Sequence, residues 1–253
     1  MLPGPTLILQ CTHCRNLLTQ STMSSGNTFG ARCWTDGLMR ADMLRKRLSW
    51  AKCAYCAAVV ATDDLRQVDS FTTYFGGFSS FGVNDDEHLA EERAEAERKS
   101  QQYADLLPLK APDAEDLFAC LQTCALPVER ELSLRLLAWR QGNDRRRFSS
   151  EVVPLAPTER QNLVRVVELF DALDAHDHLL KGEALRELGL MDRARAVMEN
   201  VRCSEAEMDA AHFVLALIQA GDVQVRELPA GGPADRRRSR SRILRDALAF
   251  GMH

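Results

Sequence analysis

Nothing in this chain reads as a membrane span or an export signal. No run approaches the roughly eighteen apolar residues that a span requires. The opening, MLPGPTLILQ, lacks the basic stretch that begins a secretory signal. Cytoplasmic localisation is therefore the expectation. Familiar catalytic signatures are missing as well: there is no Gly-rich phosphate loop, no G-x-S-x-G serine elbow and no H-E-x-x-H zinc helix. Nor does one sign of charge dominate, since the formal net charge is −4 over 253 residues.

Cysteine at metal-ligand spacing is what the chain does have. Cys11-Thr12-His13-Cys14 and Cys53-Ala54-Tyr55-Cys56 are two C-x-x-C pairs, each able to set two thiolates on one tight turn. Two such turns facing each other make the tetrahedral sulfur cage that Zn²⁺ prefers. Cys11, Cys14, Cys53 and Cys56 are accordingly the expected metal ligands and structural Zn²⁺ the expected cofactor. The alternative, a redox C-x-x-C, needs a βαβ context with a helix directly after the motif, which neither pair shows. Four cysteines close the coordination shell, whereas a catalytic zinc keeps a position open. His13, inside the first knuckle, is expected to point outward. The other cysteines, Cys33, Cys120, Cys124 and Cys203, fall within apolar patterns where a free thiol behaves as a small hydrophobe. The i, i+4 spacing of Cys120 and Cys124 also leaves a second metal or redox pair open.

The 38 residues between Cys14 and Cys53 exceed the roughly 15–20 of common ribbons, so the insertion must fold. Thr28 to Thr35 reads as a strand, Asp36-Gly37 as a tight turn and Leu38 to Met43 as the returning strand, an enlarged β-sheet for a zinc ribbon. Residues 1–60 hold seven Lys/Arg against Asp36 and Asp42, a balance of +5 that falls to about +3 once four thiolates and one Zn²⁺ are counted. That permits an acidic partner or nucleic acid without demanding either.

The expected organisation is α+β: a small zinc-ribbon β module over 1–62, a linker over 63–110, an α-helical bundle over 111–228 and a basic tail over 229–253. The linker opens on an aromatic and glycine patch, Phe71, Tyr74, Phe75, Phe78 and Phe81, which could stack bases or dock a partner, or else packs the linker onto a domain. Its second half, DDEHLAEERAEAERK, is charge-dense with almost no apolar stripe and reads as a solvated helix or disorder. Beyond Pro112, start signals recur: Asp113 caps a helix to about Cys124, and Pro127-Val128 opens one that closes near Gly142-Asn143. Thr158 and Ser204 begin capping boxes for two more. Asp174-Ala175-His176-Asp177-His178 offers metal-ligand chemistry but also ordinary helix-boundary chemistry.

In LLKGEALRELGLMDRARAVMEN, Ala184, Gly189, Ala194 and Met198 resemble one helical pair of a tetratricopeptide repeat, without its tryptophan or final proline. More broadly, C-x-x-C, then SGNTFGA and Trp34-Thr35-Asp36-Gly37, then C-x-x-C, then LRLLAWRQGNDRRR and LLKGEALRELG, resembles a known arrangement. It is that of a group of functionally uncharacterised bacterial proteins with an N-terminal zinc ribbon and a helical C-terminal region. The resemblance implies Cys11, Cys14, Cys53 and Cys56 as metal positions and carries no activity. Where such knuckles commonly have Pro and Gly, this chain has Thr12, Arg15, Ala54 and Ala57.

The function expected is a protein-interaction or adaptor module with a structural zinc and no catalysis, its partner a protein. The alternative is a nucleic-acid-binding or regulatory protein using the ribbon and the tail. Arg236, Arg237, Arg238, Arg240, Arg242 and Arg245 could grip phosphates there, beside an apolar stripe.

Overall fold

The computed structural model describes residues 2–44, 48–72, 86–149, 151–172, 177–200 and 205–229. The chain is mixed α and β, with small antiparallel strands first and helices after. In chain order the strands are β1 (Leu2–Gln10), β2 (Leu17–Ser25), β3 (Arg32–Cys33), β4 (Met39–Arg40), β5 (Trp50–Lys52), β6 (Val59–Ala61) and β7 (Arg66–Phe71). They are followed by α1 (Asp86–Gln102), α2 (Ala114–Thr123), α3 (Val128–Gly142), α4 (Asp144–Arg147), α5 (Pro157–Ala172), α6 (His178–Glu187), α7 (Met191–Met198) and α8 (Glu205–Gln219).

Two compact units divide these elements, and the division is not collinear with the chain. One unit comprises Met1–Gly30 and Ala41–Pro112; the other comprises Ala31–Arg40 and Asp113–His253. The hairpin β3–β4, expected to enlarge the cysteine module, thus belongs to the helical unit. It is also far shorter than the pattern suggested, pairing only Arg32 with Arg40 and Cys33 with Met39. Residues 27–30 are taken up instead by a local turn, in which the Phe29 N–H donates to Asn27 Oδ1 at 3.0 Å and Gly30 adopts φ +68°.

In the cysteine-bearing unit, β1 is the central strand of an antiparallel sheet ordered β2-β1-β7. Ile8 and Leu9 in its middle are buried, as are Leu18 on β2 and Ala51 on β5. The segment from Leu107 to Lys110 stitches the pieces together. Thr19 N–H donates to Leu107 O at 3.1 Å and Leu109 N–H to Thr19 O at 2.9 Å. Lys52 and Lys110 exchange backbone bonds of 2.8 and 3.1 Å.

Much of what was expected to be a linker is therefore part of this unit: β7 is a sheet strand, and Leu109 joins a core with Leu9, Leu18, Ala51, Val60 and Leu65. Helix α1 lacks an apolar stripe, as its sequence indicates, but polar anchors hold it. Asp69 on β7 accepts from Lys99 Nζ at 2.6 Å and from the Tyr103 hydroxyl at 3.0 Å, while the Phe71 and Tyr103 rings stack. The Lys99 ammonium, helped by the Ser70 N–H, holds the Asp69 carboxyl below the usual carboxylate range.

The helical unit follows its start signals closely. Asp113 and Asp116 form a reciprocal capping box at α2, and Asp177 caps α6 by accepting from Leu180 N–H at 3.0 Å. Helix α5 begins at Pro157, one residue before the expected Thr158 cap. Glu159 reaches back to the Ala156 N–H at 2.7 Å, and proline suits a first turn that needs no N–H. The core gathers Leu132, Trp139, Leu163, Val166, Phe170, Leu185, Val214 and Ile218 from α3, α5, α6 and α8.

Helices α6 and α7 form a close pair. Gly189, at φ +80°, ends α6, and a Cβ on Gly182 would lie 2.6 Å from Met198 Cε. Among the described residues no helix is long and apolar enough to cross a membrane. Tyr74, Phe75, Phe78, Phe81, Asp174, His176, Ser204 and the arginines from Arg236 to Arg245 lie outside the described residues.

Candidate metal centre and a buried charge network

Each C-x-x-C pair occupies the turn of an antiparallel hairpin. After β1, the Cys11 N–H donates to Asn16 O at 2.9 Å and the Arg15 N–H to Cys11 O at 3.1 Å, and the chain returns as β2. After β5 the same pair of bonds recurs from Cys53 to Ala58 at 2.9 Å and from Ala57 to Cys53 at 3.0 Å, and the chain returns as β6. Both turns require a left-handed residue one position after the second cysteine. Arg15 adopts φ 63° and Ala57 φ 60° there, where glycine would carry no Cβ penalty. The replacements therefore strain the turns without opening them.

Arg15→Gly and Ala57→Gly are each expected to stabilise this unit by about 0.5–1 kcal/mol, the relief of strain exceeding the entropy that glycine loses on folding. Thermal unfolding of the metal-loaded protein measures it. A lowered midpoint for both variants would refute the strain argument.

The two knuckles bring four sulfurs together, all lying within 4.8 Å of one another. Cys11 and Cys56 are 3.9 Å apart at Sγ, Cys14 and Cys53 3.7 Å. A regular tetrahedron with 2.3 Å metal–sulfur bonds has an edge of about 3.8 Å. These two separations match that edge, and Cys11, Cys14, Cys53 and Cys56 could hold a metal ion. Cys11 and Cys53 are buried, Cys14 is half-buried and Cys56 is exposed. Burial pushes the Cys11 thiol up, whereas the Asn16 backbone N–H draws the Cys14 thiol down to about 7. Metal ligation requires the thiolate, and that N–H favours it. His13 is exposed and stands outside the sulfur cluster.

The remaining described cysteines divide in a way the pattern did not show. Cys120 is buried, but Cys124 ends α2 exposed, with the two Sγ atoms 3.7 Å apart.

A second constellation, in the helical unit, carries no metal-ligand signature. The turn of the β3–β4 hairpin is closed by Gly37 N–H to Trp34 O and Trp34 N–H to Leu38 O, both 2.9 Å, with Gly37 at φ +75°. This turn places Asp36 out of contact with solvent, at 0 % exposure. Arg147 of α4 grips that carboxylate with both ends of its guanidinium, through Nη1 to Oδ1 at 2.9 Å and Nη2 to Oδ2. Asn143 Nδ2 bridges Asp36 Oδ2 at 3.1 Å and Glu187 Oε1 at 3.0 Å.

Arg146 pairs with Glu187 and donates to the Val223 carbonyl at 2.6 Å. On the same helix as Glu187, Arg186 and Glu183 form a bidentate pair at 2.7 and 2.6 Å, and Arg186 Nη2 also donates to Gln224 O at 2.7 Å. Three buried carboxylates thus face the guanidiniums of Arg146, Arg147 and Arg186, with backbone carbonyls and Asn143 taking up further donors, and Arg140 adds a fourth guanidinium whose Nε donates to Asp36 O at 3.2 Å. Burial, and repulsion from Glu183, push Glu187 up to about 7 against the pull of Arg146.

The strand-like segment around Arg226 completes the seat. Thr35 N–H donates to Arg226 O at 2.9 Å and Leu228 N–H to Cys33 O at 2.8 Å. Trp34 is buried beneath three cations, with Arg32 and Arg147 each 5.2 Å and Arg40 5.9 Å from its ring centre. Arg32 and Arg40 sit directly opposite on the hairpin. Their repulsion is relieved by Glu227, paired with Arg32, and by Asp144, paired with Arg40.

Of the strings quoted above for the resemblance, Trp34 to Gly37, Leu134 to Arg147 and Leu179 to Gly189 contribute residues here, whereas Ser25 to Gly30 and the two C-x-x-C pairs belong to the other unit. Sequence reading assigned the first three no chemistry. With its carboxylates paired to guanidiniums away from solvent, the network is suited to fixing the hairpin in one register. Compared with known protein families, curated proteins and solved structures, the chain matches none.

Proposed function

We propose that the four thiolates hold one structural Zn²⁺ and that the protein works as an interaction or adaptor module. The observation that carries this reading is the cluster of four sulfurs within 4.8 Å of one another, all from cysteine, two of whose edges, 3.7 and 3.9 Å, match a tetrahedral ion. Such a shell leaves no position for water or substrate, so the ion would supply folding energy rather than Lewis-acid chemistry. Thiolate donors favour a soft or borderline ion, and zinc is the one that takes four of them as a tetrahedron without redox chemistry.

The α6–α7 pair supports an adaptor role. Ala184, Ala194 and Met198 are buried where a tetratricopeptide-like pair needs small and large apolar residues, and such pairs present grooves suited to peptide segments. Kinship with the bacterial zinc-ribbon proteins named above is proposed on the strings quoted for it, from the two C-x-x-C pairs and Ser25 to Gly37 to the two helical segments.

The purified full chain, expressed with ample zinc, is expected to carry about one zinc per molecule and to show no salt-sensitive retention on RNA or duplex DNA. Less than half an equivalent of zinc by metal analysis would remove the structural-zinc reading. Binding to duplex DNA with a slope near −5 in log K against log salt, what about six neutralised phosphates would give, would favour the nucleic-acid reading through the tail arginines.

A further inference from the structure

The hairpin β3–β4 has a peculiar status. It pairs only two residues on each strand, too few for a hairpin to persist by itself. Its order comes from its seat: Trp34 and Asp36 buried, Asp36 held by Arg147 and Asn143, and backbone bonds to Arg226 and Leu228. Its two stems run directly to the two knuckles, since β2 emerges from Cys11–Cys14 and β5 leads into Cys53–Cys56. An ion bound to the four sulfurs therefore closes a loop with this hairpin at its tip.

Among the described residues, other ties across that loop include the Asn27 N–H to Met43 O bond at 3.3 Å, Asn27 Nδ2 to Met43 Sδ at 3.4 Å and the stitch through Leu107 to Lys110, all within a unit whose core counts Cys11 and Cys53 as members.

We infer that the segment Ala31–Arg40 is a metal-dependent latch, an internal ligand seated in the helical unit while the four-cysteine site is loaded and released when the ion is lost. The inference rests on the structural-metal reading above. With the ion bound, the exits at Gly30, Ala41 and Pro112 are held at fixed separations by a folded unit. With it gone, the hairpin is tethered to Asp113 only by the flexible stretch Ala41–Pro112, about 70 residues, and its effective concentration at the seat falls about ten- to a hundredfold. Release would uncover a seat with a defined chemistry. Arg147 and Asn143 would face outward without their carboxylate, and the groove vacated by Trp34 would accept an aromatic side chain.

Hydrogen exchange on the full-length protein tests the latch directly, comparing zinc-loaded chain with chain stripped by a chelator under reducing conditions. The amides to follow are Thr35, Gly37, Leu38 and Leu228, which bond to Arg226 O, Trp34 O, Asp36 Oδ1 and Cys33 O in the seated state. Metal removal is expected to speed their exchange at least tenfold while amides in the middle of α5 and α6 stay protected. Unchanged hairpin exchange in a chain shown to bind and lose zinc would overturn the latch and leave the zinc reading standing. Simultaneous loss of protection throughout α5 and α6 would overturn it too, since the hairpin would then be no separable element. A chain that takes up no metal would overturn both.

Discussion

Cys11→Ser is expected to leave the chain with well under half an equivalent of zinc and the cysteine-bearing unit unfolded, while α2 to α8 keep their far-ultraviolet signal. Structural zinc contributes on the order of 10–16 kcal/mol in small modules. The core beside the four cysteines is slight, consisting of Leu9, Leu18, Ala51, Val60, Leu65 and Leu109 around Cys11 and Cys53. A core of that size supplies about 3–5 kcal/mol at best, so it cannot replace the ion. Helix α1 should be lost along with β1 and β7, because Lys99 and Tyr103 anchor it to Asp69 on β7. Thiol titration should find Cys14, Cys53 and Cys56 freely reactive in the variant and protected in the loaded parent. Full zinc occupancy in the variant would show that Cys11 is no ligand. A cooperative collapse of the whole helical signal would show that the two units do not fold separately.

How much of this was legible in the sequence varies element by element, and for physical reasons. The four-cysteine cluster was readable because its members come in local pairs, and the knuckle turn needs only the five residues after each first cysteine. Helix starts were readable for the same reason: Asp113 and Asp116 cap within one turn. The long strands β1 and β2 were not seen. Leu7-Ile8-Leu9 is a continuous apolar run rather than an alternation, as suits the middle strand of a sheet, and Pro3-Gly4-Pro5 looks like a loop although it continues β1 through register shifts.

The charge network was the least visible. Asp36 and Arg147 lie 111 residues apart, so no local spacing betrays the pair. Glu183, Arg186 and Glu187 stand at i, i+3 and i+4, the pattern of an exposed, solvated helix face. In the fold every residue from Gly182 to Glu187 is buried, and the charges face Arg146, Asn143 and the Gln224 carbonyl instead of water. The one available hint was that Trp34-Thr35-Asp36-Gly37 combines a large aromatic with an acid in a tight turn, a costly placement unless something distant receives both.

Asp36→Ala is expected to cost the helical unit about 3–5 kcal/mol, because it removes one partner of a buried pair and strands the other. Breaking such a pair is expensive through the charge left behind rather than through the bond lost. Arg147 shows no side-chain exposure and has only Asp144 and the Arg140 carbonyl left to accept its donors. Asn143 would keep Glu187 but lose its second acceptor. Asp36→Asn retains the shape and one acceptor oxygen, and its cost should be smaller, about 1–3 kcal/mol.

The decisive comparison is Asp36→Ala together with Arg147→Met. Removing both charges abolishes the stranded guanidinium, so the double variant should be more stable than Asp36→Ala alone, since well-packed apolar replacements of buried pairs are often neutral. Denaturant unfolding followed by the helical signal reads these three variants and Arg147→Met alone. If Asp36→Ala costs less than about 1 kcal/mol, or if adding Arg147→Met makes matters worse by its full single-variant cost, the pair is not coupled and the hairpin is held by Trp34 and its backbone bonds instead.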